Sequence, residues 1–144
     1  MRHVMVSSCL LGVYSRYDGT SRPSLFLIEK LRRQAVIPVC PEQLGGLPTP
    51  RPRQHLVGGD GHALLAGKAR VVDERGEDVT ESFVRAAREA VRIARLFRVE
   101  VAYLKARSPA CGCGPVDIEG KWSPGDGVTT AALTEAGVRV MAVE

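Results

Sequence analysis

The chain reads as an α/β protein, a single domain with a mainly parallel sheet and helices on both faces in a Rossmann-like three-layer sandwich. Three observations predict this. Short apolar runs of strand character alternate with longer amphipathic segments, the order that crossover connections and a parallel sheet require. Gly- and Pro-rich stretches punctuate the runs, as loops between such elements do. Three of the four cysteines, Cys9, Cys40 and Cys111, lie just beyond apolar runs, which in a parallel sheet places them on the shared carboxyl edge where ligands bind.

Each element has its own signal. His3-Val4-Met5-Val6-Ser7 is a short buried strand, and Ser8 to Gly12 is the loop that leaves it. Leu25, Phe26, Ile28 and Leu31 recur at helical spacing over 24–33, behind Pro23 at a helix start. Val36 to Val39 resumes a β pattern, and Pro38, which donates no ladder hydrogen bond, puts that strand at a sheet edge or ends it there. The stretch 44–53 carries two glycines and three prolines and is expected to be a stiff, irregular loop. Residues 63–66 and 69–72 around Gly67-Lys68 are read as a small hairpin. Asp78 and Glu81 resemble a capping box for a long helix whose face is Phe83, Ala87, Ala90, Val91, Ala94 and Phe97. Residues 99–106 form the next strand, followed by the loop 107–114. Asp126 is expected to N-cap a helix over 128–136, with Gly137 as its stop and 138–143 as the last strand.

Composition bounds the function. At 144 residues, 44% hydrophobic and 25% charged, the chain has ordinary globular usage and no tract long enough for a linker, so the domain is expected to span 1–144. No apolar stretch approaches the roughly 20 residues of a membrane helix. The N-terminus becomes strand-like too soon for a signal peptide, and a cytoplasmic location is expected. In a reducing compartment four cysteines call for metal binding or thiol chemistry rather than disulfides. The net charge of +4 favours anionic partners. The basic residues are dispersed, however, and few aromatics are available to stack on bases, so nucleic acid is not the expected partner.

A closed zinc site announces itself with Cys-x-x-Cys or Cys/His pairs. Here the closest pair is Cys111-x-Cys113, and His3, His55 and His62 have no ligand spacing. Iron-sulfur clusters accept thiolates from distant loops, and three cysteines around a cubane would leave one iron free. Cys113 is compatible with a fourth ligand, a labile thiol or a buried small residue. Glu42, two residues beyond Cys40, is the carboxylate nearest the cysteines in sequence and a candidate proton carrier. Ser108 opens the Cys111 loop and either donates to a substrate or supports the turn before Pro109. Arg16, Arg51, Arg53, Lys105 and Arg107 stand on or beside these loops, where they can hold a phosphate or a polarised carbonyl. Gly125-Asp126-Gly127-Val128 lacks the Lys of a P-loop and the glycine spacing of a dinucleotide fingerprint.

Taken together, Ser8-Cys9-Leu10-Leu11-Gly12, Arg16-Tyr17-Asp18-Gly19, Pro38-Val39-Cys40-Pro41-Glu42, the run from Leu44 to Pro52, Lys105 to Gly112 and Gly125-Asp126-Gly127-Val128-Thr129 resemble the thiouracil desulfidase family in motif and order. The resemblance implies a 4Fe-4S cluster held by Cys9, Cys40 and Cys111, with one iron lacking a protein ligand. It further implies that this iron binds the sulfur of a thiocarbonyl such as thiouracil, that water attacks the ring carbon, and that sulfide departs without net redox. Glu42 falls on the family's proton relay and Ser108 on a polar residue beside the substrate. The sequence departs from the family where Ile118-Glu119-Gly120-Lys121-Trp122 replaces a Tyr-Asp-Gly stretch. The absence of an added domain favours a free thiolated base or nucleotide over tRNA, and the arginines favour a nucleotide. Two other readings remain: a thiol transferase or redox protein using Cys111 and Cys113, and a zinc-stabilised RNA-binding module.

Overall fold

In the computed structural model, which describes residues 2–144, four strands form a fully parallel sheet in the order β2-β1-β5-β8. These are β1 (His3–Ser7), β2 (Ala35–Val39), β5 (Val101–Lys105) and β8 (Arg139–Val143). Met1, the first residue of the expected domain, lies outside the described residues. Alternation along β1 sorts its side chains: Met5 joins the larger core with Ala102 and Leu104, while Val4 and Val6 face the smaller one with Leu27 and Leu31. Helices therefore lie on both faces, as expected of a parallel sheet buried on two sides. Helix α1 (Leu25–Leu31) covers one face, and α4 (Thr80–Leu96) with α5 (Val128–Glu135) covers the other. β2 is an edge strand, in keeping with Pro38.

Helices α1 and α4 follow their patterns with local differences. Ser24 caps α1 by accepting the Leu27 amide, and Leu27 and Leu31 are buried. Leu25 and Phe26 instead stand 77% and 81% exposed. On α4, Phe83, Ala87, Ala90 and Ala94 are buried as predicted, whereas Phe97 lies past the helix end and is exposed. Asp78 accepts the Thr80 amide at 2.9 Å, but the N-cap of α4 is Val79 without a side-chain hydrogen bond, so the expected Asp78/Glu81 capping box does not form.

A second sheet, absent from the sequence reading, has the order β4-β3-β6-β7. It comprises β3 (Gln54–Val57), β4 (Arg70–Asp73), β6 (Cys113–Ile118) and β7 (Lys121–Asp126). The expected 63–72 hairpin does not form. Asp60 accepts the Ala63 amide and starts a short helix, α3 (Gly61–Leu65), and β4 pairs antiparallel with β3. Residues 113–126, for most of which the sequence predicts no element, form a tight hairpin turning through Glu119 and Gly120 at φ 53° and 84°. Two successive positive φ values are the signature of a type I′ connection. Pro115 faces Pro124 across it; prolines in a strand obscure the β pattern in the sequence. Asp126 does not cap α5, whose N-cap is Gly127 without a side-chain hydrogen bond.

Candidate active site at the thiol edge

The parallel sheet changes direction of winding at β1: β2 is added on one side and β5 on the other. At such a switch point the loops leaving adjacent strands part and open a crevice. A cavity of about 480 Å³ lies there, lined by Cys9, Cys40, Glu42, Lys105, Ser108 and Cys111 among others. Cys9 is on the 3-10 turn Ser8–Leu11 after β1, and Cys40 sits between β2 and the short helix α2 (Pro41–Leu44). Cys111 is on the loop after β5. The three expected cysteines thus converge, and Cys113, opposite Asp126 on β6, is absent from the cavity wall.

Gly45 is what lets α2 seat Glu42 here. A Cβ at Gly45 would collide with the backbone of Ser82 on α4, so only glycine permits the two helices to approach this closely. Glu42 is then 11% exposed at the side chain, with Oε2 3.4 Å from Arg51 Nη2 and Oε1 4.0 Å from Cys40 Sγ.

The Cys111 loop is held from below. Ser108 Oγ accepts the amides of Ala110 and Cys111 at 3.1 Å each, and Gly127, Val128, Thr129 and Thr130 donate their amides to Gly112, Pro109 and Ala110. Ser108 therefore supports the turn. With both acceptor positions engaged, its hydroxyl proton is what it can still offer a ligand. Ser7, which the sequence reading passed over, accepts the Lys105 amide at 2.9 Å and donates to Cys111 Sγ at 3.5 Å. A serine closing a mostly apolar strand is its only sequence signal. Ser15 and Ser8 share a hydroxyl pair at 2.7 Å beside the cavity.

The five basic candidates divide. Arg51 is buried in the cavity wall: its side chain is 2% exposed, Nη1 and Nη2 donate to protein acceptors, and Nε has no partner among the described residues. With both Nη atoms engaged by the protein, little of the guanidinium is left for a phosphate. Arg107 pairs with Glu144 at 3.2 Å and lies over Trp122, 5.5 Å from the ring centre. Arg16 bonds Thr20 at 3.2 Å, and both Arg16 and Arg53 flank the Tyr17 ring. Lys105 lines the cavity, and burial lowers its pKa. The wall also contains Arg22, Gln54, Asp117 and Trp122, none singled out as a site residue in the sequence. The last two arrive on β6 and β7, the hairpin that the sequence did not reveal, and Trp122 is 58% exposed.

All four cysteines are free. Burial is the leading cause that raises the Cys9, Cys40 and Cys111 thiol pKa values; Cys40 adds to it at Cys9, and Glu42 at all three. Cys113 is likewise raised, by burial and then by Asp126. A thiol raised in this way is a weaker nucleophile near neutral pH. Three thiolates this close repel one another and are stabilised together by a cation, and soft sulfur donors suit zinc, copper(I) or an iron-sulfur cluster. Among the described residues no three His, Cys, Asp or Glu side chains are grouped to hold one metal ion. A tetrahedral zinc would need its sulfurs only about 3.8 Å apart, whereas a cubane accepts thiolates around a larger body. The donor set fits a cluster.

Fold and site define an α/β protein with a three-thiol pocket at the switch point of its parallel sheet. The 2-thiouracil desulfurase family matches residues 4–144, and the chain belongs to that family. The uncharacterized protein YbbK of Bacillus subtilis (strain 168) is 38% identical over 141 residues, covering 96% of this chain and 93% of its own. A solved structure, the 4Fe-4S-dependent thiouracil desulfidase TudS, superposes with a TM-score of 0.83 at 37% identity over 99% of this chain and 91% of that one. Among the described residues no helix is long and apolar enough to cross a membrane.

Proposed function

We propose that this protein is an iron-sulfur-dependent desulfidase that converts a thiolated pyrimidine, as free base or nucleotide, and water into the corresponding uracil compound and sulfide. The observation that carries this is the convergence of Cys9, Cys40 and Cys111 on one cavity with Glu42 beside them. In this reading the three thiolates hold a 4Fe-4S cluster and leave one iron without a protein ligand. When bound, the cluster supplies a Lewis-acidic iron with affinity for the sulfur of a thiocarbonyl.

The chain's own residues do the rest. Glu42 Oε1 faces the Cys40 corner, where it can take a proton from the attacking water and return it to the departing sulfur. The Ser108 hydroxyl donates to the ring of the substrate. Lys105, Arg16 and Arg53 place positive charge along the wall, which suits a nucleotide phosphate. Trp122 at the rim offers an apolar face to a pyrimidine. Atoms balance as C=S plus water giving C=O plus hydrogen sulfide, without electron transfer.

Anaerobic reconstitution with iron and sulfide tests the reading. The expected protein absorbs broadly in the visible and releases sulfide from thiouracil or thiouridine monophosphate. A Cys40→Ala protein that keeps both iron and turnover would sink it, as would wild-type protein that binds iron yet releases no sulfide from either compound.

A further inference from the structure

Arg51 forms a node that no role so far accounts for. Its backbone amide donates to the Tyr17 carbonyl at 2.8 Å. Its guanidinium donates through Nη1 to the Pro48 carbonyl at 3.2 Å and Thr49 Oγ1 at 3.0 Å, and through Nη2 to the Ser15 carbonyl at 3.0 Å. Nη2 also lies 3.4 Å from Glu42 Oε2 and 3.9 Å from Cys40 Sγ. One buried cation thus joins the loop after β1, the loop after α2, the carboxylate and one of the three thiols.

We propose that Arg51 is a positioning residue, a buried clamp that fixes Glu42 against Cys40 and donates an N–H to the Cys40 sulfur, rather than a contact to the substrate. The clamp is rigid because a guanidinium is a planar fork whose donors have fixed directions. It is also held in place energetically, since a desolvated charge that loses its acceptors is costly. An N–H aimed at a cysteine sulfur withdraws electron density from it, and hydrogen bonds to sulfur are among the terms that set a cluster's potential and retention. The second consequence rests on the proposed desulfidase reading; the clamp itself does not.

Arg51→Lys keeps the charge and loses the fork, while Arg51→Gln loses the charge. In the metal-free full-length chain, amide hydrogen exchange over residues 13–20 and 48–51 is expected to accelerate in both variants. Unchanged protection overturns the clamp whatever the protein catalyses. In reconstituted protein, Arg51→Gln is expected to shift the cluster's midpoint potential to more negative values and to speed iron loss to a chelator by about 10-fold. It should lower kcat by a similar factor with KM within about twofold, and Arg51→Lys should fall between it and wild type. A wild-type midpoint in both variants, or a KM raised for thiouridine monophosphate alone at unchanged kcat, overturns the proposal. If Arg51→Gln does not fold, Arg51→Lys carries the same readouts. Failure of wild-type protein to release sulfide would count against the desulfidase reading and leaves the exchange result to decide the clamp.

Discussion

The Thr130 hydroxyl, wholly buried, donates at 2.7 Å to the main-chain carbonyl of Cys111. This bond ties the first turn of α5 to the loop that carries the third thiol. Thr130→Val keeps the shape and removes the donor, leaving a buried carbonyl short of a partner. The expected cost is about 1–3 kcal/mol in denaturant unfolding, together with faster iron loss from reconstituted protein. A variant as stable as wild type would show that the carbonyl finds another donor.

Gly127 is required on different grounds. A Cβ there would stand 2.5 Å from the Ala110 carbonyl and 2.9 Å from the Cys111 amide nitrogen, both backbone atoms that cannot rotate away. Gly127→Ala is expected to displace the Cys111 loop and to lower stability by about 1–3 kcal/mol. Thermal melting reads the stability, and iron content after reconstitution reads the loop.

The cysteines separate cleanly. Cys9→Ala, Cys40→Ala and Cys111→Ala should each lose most of the iron retained by wild type. Cys113→Ser should keep iron and sulfide release within about twofold, because Cys113 lies outside the cavity wall and a Ser is nearly isosteric. Loss of iron in the Cys113 variant would make it a ligand and overturn the assignment.

His62 gives the chain a pH signature away from the cavity. Its Nε2 is 2.8 Å from Asp126 Oδ2 and its Nδ1 3.2 Å from Glu135 Oε1, so only the doubly protonated ring donates to both. The Asp126 bond leads in raising its pKa; burial opposes it, and the Glu135 bond and the Asp60 charge add to the rise. A raised folded pKa means the stabilisation is complete below the ordinary imidazole value of about 6.5 and is lost as pH climbs through the folded value. The melting temperature of wild type should therefore exceed that of His62→Gln most near pH 6, by no more than about 3 °C for so exposed a pair. The gap should close by about pH 9. A gap constant across this range would mean that packing, not charge, is what His62 contributes.

The sequence alone determined the parallel sheet, its helices and the identity of the three converging cysteines, because those depend on signals read locally. Period-2 and period-3.6 burial and Pro or Gly punctuation are written into consecutive residues. Once the strands are parallel, everything just past their ends is placed on one edge. The family motifs carried Glu42 and Ser108 with them. Tertiary structure alone decided the fate of Arg51, Ser7, Asp126 and Trp122. Arg51 and Lys105 look alike in sequence and both reach the cavity wall, yet Arg51 is almost wholly buried and held by protein acceptors. The difference is whether protein acceptors from distant loops, here Ser15 and Glu42, arrive to satisfy the charge. The second sheet was hidden for a related reason: Pro115, Pro124 and the glycines around them weaken any β pattern. Long-range pairing supplies the energy that local propensity withholds.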